Sequence, residues 1–256
     1  MITGTSWKTD DVSKKFNSYN DMLEEILGYN FIFKRIGSVS NIVNIIDFGC
    51  GPGKVAERLS QINDKYHIIA VDESEKMLKI ANDQHKNAQI DYKLIKNDSL
   101  DFLPSQSIDC AIMCFVIINN ANADRIYRMV HEIYRVLRPS GLFAILDSNP
   151  EILGVQFTTF KNGEKGKKYK NGDPKQQILH IPNCSDLILN DFYWSKEFYH
   201  ELLSTTGFKK IRFSEPVLSN LSREELKRYE KRYNFNSWGN EKTYSPFMIV
   251  DSVKPE

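Results

Sequence analysis

Directly behind an apolar run the chain reads Asp47-Phe48-Gly49-Cys50-Gly51-Pro52-Gly53-Lys54. Glycines spaced this way suit a backbone that turns tightly and lets a ligand approach without meeting a Cβ. In an open α/β sheet such a turn lies in the ligand crevice at the strands' carboxyl ends. The dinucleotide fingerprint needs a further glycine three places after the second, and counting from Gly49 and Gly51 that place is Lys54. The fingerprint therefore fails. Asp47 would also repel a pyrophosphate, and suits a ligand carrying an ammonium or sulfonium instead. Downstream, Val71-Asp72-Glu73 ends a second apolar run, where Asp72 can accept from both hydroxyls of a ribose. Lys96-Asn97-Asp98-Ser99 ends a third. Asp98 is placed there to accept from an adenine amino group, or simply to cap the following loop. Met77 can supply a soft apolar face to a ring, or serve as core.

These residues need a frame, and the hydrophobic pattern supplies one. Ile42–Phe48, His67–Val71, Ile90–Ile95, Ile108–Ile117 and Leu142–Leu146 read as strands. Between them, Lys54–Ile62, Ser74–His85 and Asp124–Leu137 carry apolar residues at helical spacing, with Ser74 placed as a cap. Near-continuous apolar strands alternating with helices predict a parallel sheet covered on both faces. Arg138-Pro139-Ser140-Gly141 reads as a turn between the last of these helices and the fifth strand. Before the sheet, Lys14–Ile36 predicts one or two helices with Phe16, Tyr19, Leu23, Ile26 and Leu27 on one face. After it come a helix at Lys196–Ser204, a strand at Lys209–Phe213, a charged helix at Arg223–Arg232 and a strand at Phe247–Val253. Between Glu151 and Asp191 the pattern changes. Turn signals at Asn162-Gly163 and Asn171-Gly172-Asp173-Pro174 predict an inserted hairpin with a loop above the sheet's carboxyl edge. Its basic segment, Lys161 to Lys175, reads as a solvated hairpin in preference to a phosphate site.

Five stretches together resemble the class I S-adenosylmethionine-dependent methyltransferases, small-molecule branch. They are Asp47 to Gly53, Val71-Asp72, Asn97-Asp98-Ser99, Ser107 to Ile112 and Val136 to Gly141, and the resemblance covers roughly Asn41 to Leu146. It implies a Rossmann-like, doubly wound sheet of seven strands in one methyltransferase domain, 1–256. Within it, 1–40 would form a helical lid, 41–150 the cofactor-binding core, 151–194 a substrate cap and 195–256 the rest of the sheet. The resemblance implies that Asp47, Gly49 and Gly51 hold the methionine end of S-adenosylmethionine, with Phe115 beside it. Asp72 would bind the ribose, Met77 would lie against adenine, and Asp98 and Ser99 would read its edge. Phe16-Asn17-Ser18-Tyr19-Asn20-Asp21 is similar to a lid pattern in which Tyr19 closes over the cofactor. Lys54 departs from the small or hydroxyl residues common at its place.

Substrate residues are sought where loops meet the crevice. Asn119 and Asn120 follow the fourth strand; the insertion supplies His180; Phe192-Tyr193-Trp194 precedes a helix that Ser195 would cap. The resemblance puts the insertion and its aromatics around the acceptor, and His180 and Tyr193 are the candidate general bases. Asp109 reads as structural, and Arg125, Arg128, Arg135 and Arg138 as a solvated face. A methyl group on sulfonium needs no nucleophile built on the protein, so the expected reaction is in-line displacement to N or O of a small, secondary-metabolite-like acceptor. The alternatives are an RNA methyltransferase and a non-catalytic S-adenosylmethionine-binding protein.

Composition bounds these readings. Lys+Arg 34 against Asp+Glu 33 leaves a net charge of +1 over 256 residues, which disfavours binding nucleic acid or a membrane through bulk charge. The Cys114-Phe115-Val116-Ile117 stretch also lacks the aromatic-proline tetrapeptide of many RNA-modifying relatives. The apolar run Ala111 to Ile118 falls far short of the roughly 20 residues that span a bilayer. Met1 to Thr5 shows no signal-peptide core. Four cysteines without metal-type pairing, Cys50, Cys110, Cys114 and Cys184, read as reduced thiols of a cytoplasmic protein. No metal site is expected.

Overall fold

Strands that are apolar on both sides must be covered on both sides, and the chain does this with helices. The computed structural model describes residues 4–7 and 10–256; residues 1–3 and 8–9 of the expected lid, including most of the Met1–Thr5 stretch, lie outside the described residues. The chain passes through α1 (Asp10–Asn17) into a longer helical run of α2 (Met22–Glu24), a π-helical segment Glu25–Tyr29 and α3 (Asn30–Gly37). The π-helical turn is the departure from the expected helix pair. This run packs hard on the sheet: a Cβ at Gly28 would stand 2.7 Å from Leu146 Cδ2.

Strand and helix then alternate through β1 (Asn44–Phe48), α4 (Lys54–Ser60), β2 (His67–Asp72), α5 (Glu75–Gln84), β3 (Ile90–Leu94), β4 (Ile108–Cys114), α6 (Ala123–Val136) and β5 (Leu137–Ser148). Three strands follow, β6 (Phe160–Asn162), β7 (Pro174–Leu179) and β8 (Leu187–Phe192), then α7 (Lys196–Thr206), β9 (Lys209–Ser214), α8 (Arg223–Tyr233) and β10 (Phe247–Val253). The main sheet has the order β3-β2-β1-β4-β5-β10-β9. β1 to β5 are mutually parallel, and β10 runs antiparallel between β5 and β9.

Side chains alternate across the sheet and split the core into two layers. Ile45, Ile68, Cys110, Ile112 and Ala144 face the layer shared with the N-terminal helices. Ile46, Ile69, Ala111, Met113 and Phe143 face the layer shared with α6 and α7. α6 buries Ile126, Met129, Val130, Ile133 and Val136, a stripe at helical spacing, and starts where Asn122 Oδ1 accepts from Arg125 N at 3.1 Å. The Ser74 and Ser195 caps form as expected, each hydroxyl accepting a backbone N–H at 3.3 Å.

Two expectations need correction. Arg138 to Gly141 is not a free turn: β5 begins at Leu137, and the irregularity is taken up by a register shift against β4 between Ile108 and Cys110, with Ser140 at φ 63°. The insertion is not a lone hairpin but a three-stranded antiparallel sheet, β6-β7-β8. Leu187, Leu189 and Asp191 alternate inward along β8; the polar residues among them hid the period-2 pattern of a half-buried strand. The lysines of the tip, Lys165, Lys167 and Lys168, are exposed as expected, but Lys175 is buried.

Candidate active site

The carboxyl ends of β1, β2 and β4 open into a cavity of about 500 Å³, within the ~300–1,000 Å³ range of small-ligand sites. Its floor is the glycine loop. Gly49 N and Cys50 N donate to Val71 O at 2.8 and 2.9 Å, and Gly51 N donates to Asp72 Oδ2 at 2.9 Å, so the loop is tied to the end of β2. Gly49, Gly51 and Gly53 all take positive φ (78°, 52° and 87°). Their roles differ. A Cβ at Gly49 would come 2.4 Å from Val116 Cγ2 and at Gly53 2.6 Å from the Tyr92 hydroxyl, whereas at Gly51 it would meet nothing within 4 Å. Gly49 and Gly53 serve packing; Gly51 keeps the cavity wall bare.

Asp47, at the end of β1, is 1% exposed, and its Oδ2 has no hydrogen-bond partner. Burial, with the Asp72 charge adding to it, pushes its carboxyl up to about 7. A buried acceptor left open toward a cavity is matched by a cationic donor entering there. Asp72 accepts from Ser74 N at 2.8 Å as well as from Gly51 N, and burial outweighs these bonds in raising its pKa. Met77 is buried and lines the cavity beside Ser74. Phe115, just past β4, holds φ 57° and stands edge-on to Tyr29 and Phe247, with its ring on the cavity. A left-handed aromatic residue is a strained conformation of a kind that gathers at functional sites. An open acidic end, a bare glycine wall, a carboxylate at β2 and a thioether beside it together fit the cation, ribose and base of S-adenosylmethionine.

Over this floor close the N-terminal segment and the small sheet. Tyr19 is buried; its hydroxyl donates to Glu24 Oε1 at 2.7 Å and lies 2.9 Å from Thr159 Oγ1, joining the two covers. Lys54, unexplained by the motif, reaches back to Tyr19 O at 3.3 Å. Arg58 from α4 holds Asp21 in a two-point bond at 2.7 and 2.8 Å. Trp7 closes the other side, its Nε1 donating to Asn119 Oδ1 at 3.1 Å and its carbonyl accepting from Ser74 Oγ at 3.0 Å.

Several expected site residues stand elsewhere. Asp98 lines the cavity, but Arg125 already holds both its oxygens at 2.7 to 3.1 Å and bridges to Glu73 at 2.9 Å. Arg125 is thus a wall residue, not part of a solvated face. Ser99 is off the cavity lining, its hydroxyl accepting from Asp101 N at 3.2 Å. Asn119 and Asn120 do line it, yet their amide N–H groups go to the Phe115 and Val116 carbonyls of their own loop. They brace the strained turn with one N–H each.

His180 faces outward, with Nδ1 3.1 Å from Asp186 Oδ1 and Nε2 2.7 Å from Gln156. Tyr193 stacks on Tyr169 at 5.7 Å between centroids, and Trp194 is buried against Phe198 with its Nε1 bonded to Asn120 O. None of the three lines the cavity. Tyr193 and Trp194 follow the last residue of β8, where the chain leaves the sheet toward α7. Asp109 is structural, as read: it accepts from Val43 N and Asn44 N at 2.7 and 2.9 Å.

What the sequence left out is the inner face of the small sheet, Gln177, Leu179, Leu189 and Asp191, together with Glu24. The one signal was a carboxylate set among apolar neighbours, at Met22-Leu23-Glu24-Glu25-Ile26 and at Leu187 to Phe192. Among the described residues no group of histidines, cysteines and carboxylates could hold a metal ion, and no helix is long and apolar enough to cross a membrane.

The family described as "Methyltransferase domain" matches residues 45–141, the stretch holding β1 to the start of β5. The chain is 31% identical over 214 residues to N-demethylindolmycin N-methyltransferase of Streptomyces griseus, covering 81% of this chain and 89% of that protein. It is 25% identical over 217 residues to demethylmenaquinone methyltransferase of Leptospira interrogans, covering 81% and 84%. In fold it is similar to phosphoethanolamine N-methyltransferase 2 of Haemonchus contortus, solved with S-adenosyl-L-methionine, at a TM-score of 0.60 and 16% identity over 98% of this chain and 60% of that one. Glycine loop, sheet order and relatives agree, and the chain belongs to the class I S-adenosylmethionine-dependent methyltransferases that act on small molecules.

Proposed function

We propose that this enzyme binds S-adenosylmethionine along the carboxyl ends of β1 and β2 and methylates a nitrogen or oxygen of a secondary-metabolite-like acceptor held under the lid and the small sheet. When bound, the cofactor supplies a methyl group made electrophilic by the sulfonium. The observation that carries the reading is the open Oδ2 of Asp47 beside a bare Gly51 in a cavity with two opposed walls. Asp47 pairs with the ammonium of the methionine end, Asp72 accepts from the ribose diol, and Met77 and Phe115 give apolar surface to the base and the methionine chain. Tyr19, Lys54 and Trp7 hold residues 1–40 shut as a lid, and 151–194 act as the cap. Orientation and exclusion of water supply the acceleration, up to ~7–11 kcal/mol in the best-oriented model reactions.

A nucleic-acid acceptor is disfavoured by the net charge of +1 and by the acidic lining of the cavity. A cytoplasmic location accords with four free cysteines. The test is calorimetry with S-adenosylmethionine, S-adenosylhomocysteine and NAD. The first two are expected to bind and NAD is not; binding of NAD with no signal from the other two would sink the proposal.

A further inference from the structure

Besides Asp47 and Asp72, which the cofactor accounts for, two buried carboxyls with unpartnered oxygens, Asp191 and Glu24, line the cavity. Asp191 on β8 is 1% exposed, and neither of its oxygens has a hydrogen-bond partner. Gln177, on the adjoining strand and the same inner face, is 4% exposed with its Oε1 unpartnered. Glu24, 4% exposed, spends Oε1 on Tyr19 and leaves Oε2 unpartnered. All three residues line the cavity from the lid and cap. The unpartnered atoms of Asp191 and Gln177 are acceptors, so what belongs beside them is a donor.

Lys175 is the cation packed nearby, cross-strand from Asp191. Its ammonium goes to Asn162 Oδ1 at 2.6 Å and Ser148 Oγ at 3.2 Å, and it does not line the cavity. Its charge draws Asp191 down while burial pushes it up, to about 6 overall. Asp147, buried behind it, is tied to the Tyr199 hydroxyl at 2.9 Å. Lys54 and Arg125, the cations on the lining, are engaged with Tyr19 O and with Asp98 and Glu73.

We propose that Asp191 and Gln177, with Glu24, form the acceptor subsite, and that it takes an amine through its N–H groups with an apolar body against Leu179 and Leu189. The inference rests on the methyl-transfer reading and narrows its acceptor from nitrogen or oxygen to nitrogen. The amine binds as its ammonium, gives one proton to the Asp191 carboxylate and so frees its lone pair. That pair forms the N–C bond as the S–C bond breaks, its electrons leaving on sulfur, which becomes a neutral thioether. The proton leaves Asp191 for solvent when product departs.

The experiment is calorimetry of the full chain, with and without saturating S-adenosylhomocysteine, against 2-phenylethylamine, 2-phenylethanol and phenylacetate. These probes share one apolar body and differ in the polar head. The amine is expected to bind at least about tenfold tighter than the alcohol, with the acid weakest; a charge-assisted hydrogen bond is worth that much. Asp191→Asn should erase the preference with S-adenosylhomocysteine affinity within a few-fold. Gln177→Leu should weaken the amine by a few-fold, and serves if Asp191→Asn fails to fold. Asp186→Asn, on the outer face beside His180, should change neither. Amine no tighter than alcohol in the unaltered chain, or an Asp191→Asn protein that keeps the preference, overturns the subsite. Bound S-adenosylhomocysteine without amine preference leaves methyl transfer standing and removes the subsite; amine preference without S-adenosylhomocysteine binding does the reverse.

Discussion

Two glycines of one loop illustrate how differently neighbouring residues can be constrained. Both Gly49 and Gly51 hold positive φ, which costs a side-chain-bearing residue roughly 1–2 kcal/mol. For Gly49 a backbone strain would be joined by a clash with Val116, while a Cβ on Gly51 would stand free in the cavity. Gly51→Ala is therefore expected to fold, losing about 1–2 kcal/mol of stability, and to bind S-adenosylhomocysteine at least about tenfold more weakly because the methyl occupies ligand space. Gly49→Ala should lose thermal stability by more than that. Melting curves and calorimetry on the two variants separate packing from ligand contact. Equal affinity of Gly51→Ala and the unaltered chain would remove that wall from the cofactor site.

At the scale of elements, lid and cap are joined at Thr5, which pairs with Asn190, and at Tyr19. Its hydroxyl is the shared point between Glu24 of the helical lid and Thr159 of the cap. Tyr19→Phe leaves buried polar atoms on both sides without their partner, which costs ~1–3 kcal/mol. Urea unfolding should show that loss, and dissociation of S-adenosylhomocysteine should quicken about tenfold as the covers open more often. A change in unfolding free energy below ~0.5 kcal/mol would mean that closure does not depend on this contact. The small sheet belongs to the same argument: the alternation of β7 and β8 turns Gln177, Leu179, Leu189 and Asp191 inward. The aromatics that follow β8 pack behind the site. Tyr193→Ala is accordingly expected to act through stability and not through contact with an acceptor.

For the whole molecule, the buried carboxyls make stability depend on pH with a definite sign. Burial pushes Asp191 up to about 6, Asp47 to about 7 and Glu24 to about 8. In the unfolded chain the same groups ionise near ~4. Between those limits the folded protein holds more protons than the unfolded one, so the stability present below ~4 is lost as pH rises through 6 to 8. The free protein should melt at a higher temperature at about pH 5.5 than at about pH 8.5. A ligand ammonium beside Asp47 favours the ionised carboxylate, so S-adenosylhomocysteine should bind more tightly as pH rises through 7 and should narrow the difference in melting temperature. Scanning calorimetry with and without ligand checks both statements; melting that rises with pH in the free protein contradicts the burial of these groups.

The sequence by itself determined the frame and set Asp47 and Asp72 at strand ends that line the cavity. Near-continuous apolar runs alternating with helices read as buried strands, the glycine spacing suits a tight turn, and Asp47 and Asp72 follow from where such strands end. Local spacing carries that information because each residue is placed by the element it terminates. The inner wall formed by the small sheet is different. Gln177 and Asp191 are brought to one face as diagonal neighbours by antiparallel pairing of β7 with β8, and the fold sets Glu24 on the same cavity from far earlier in the chain. Asp98, placed by its strand end to meet an adenine or to cap its loop, is held instead by Arg125 of α6. His180, one candidate base by its place in the chain, is turned outward toward Asp186 by the small sheet. Only the tertiary structure decided these, because whether a polar atom is open or spent depends on neighbours that no local spacing records.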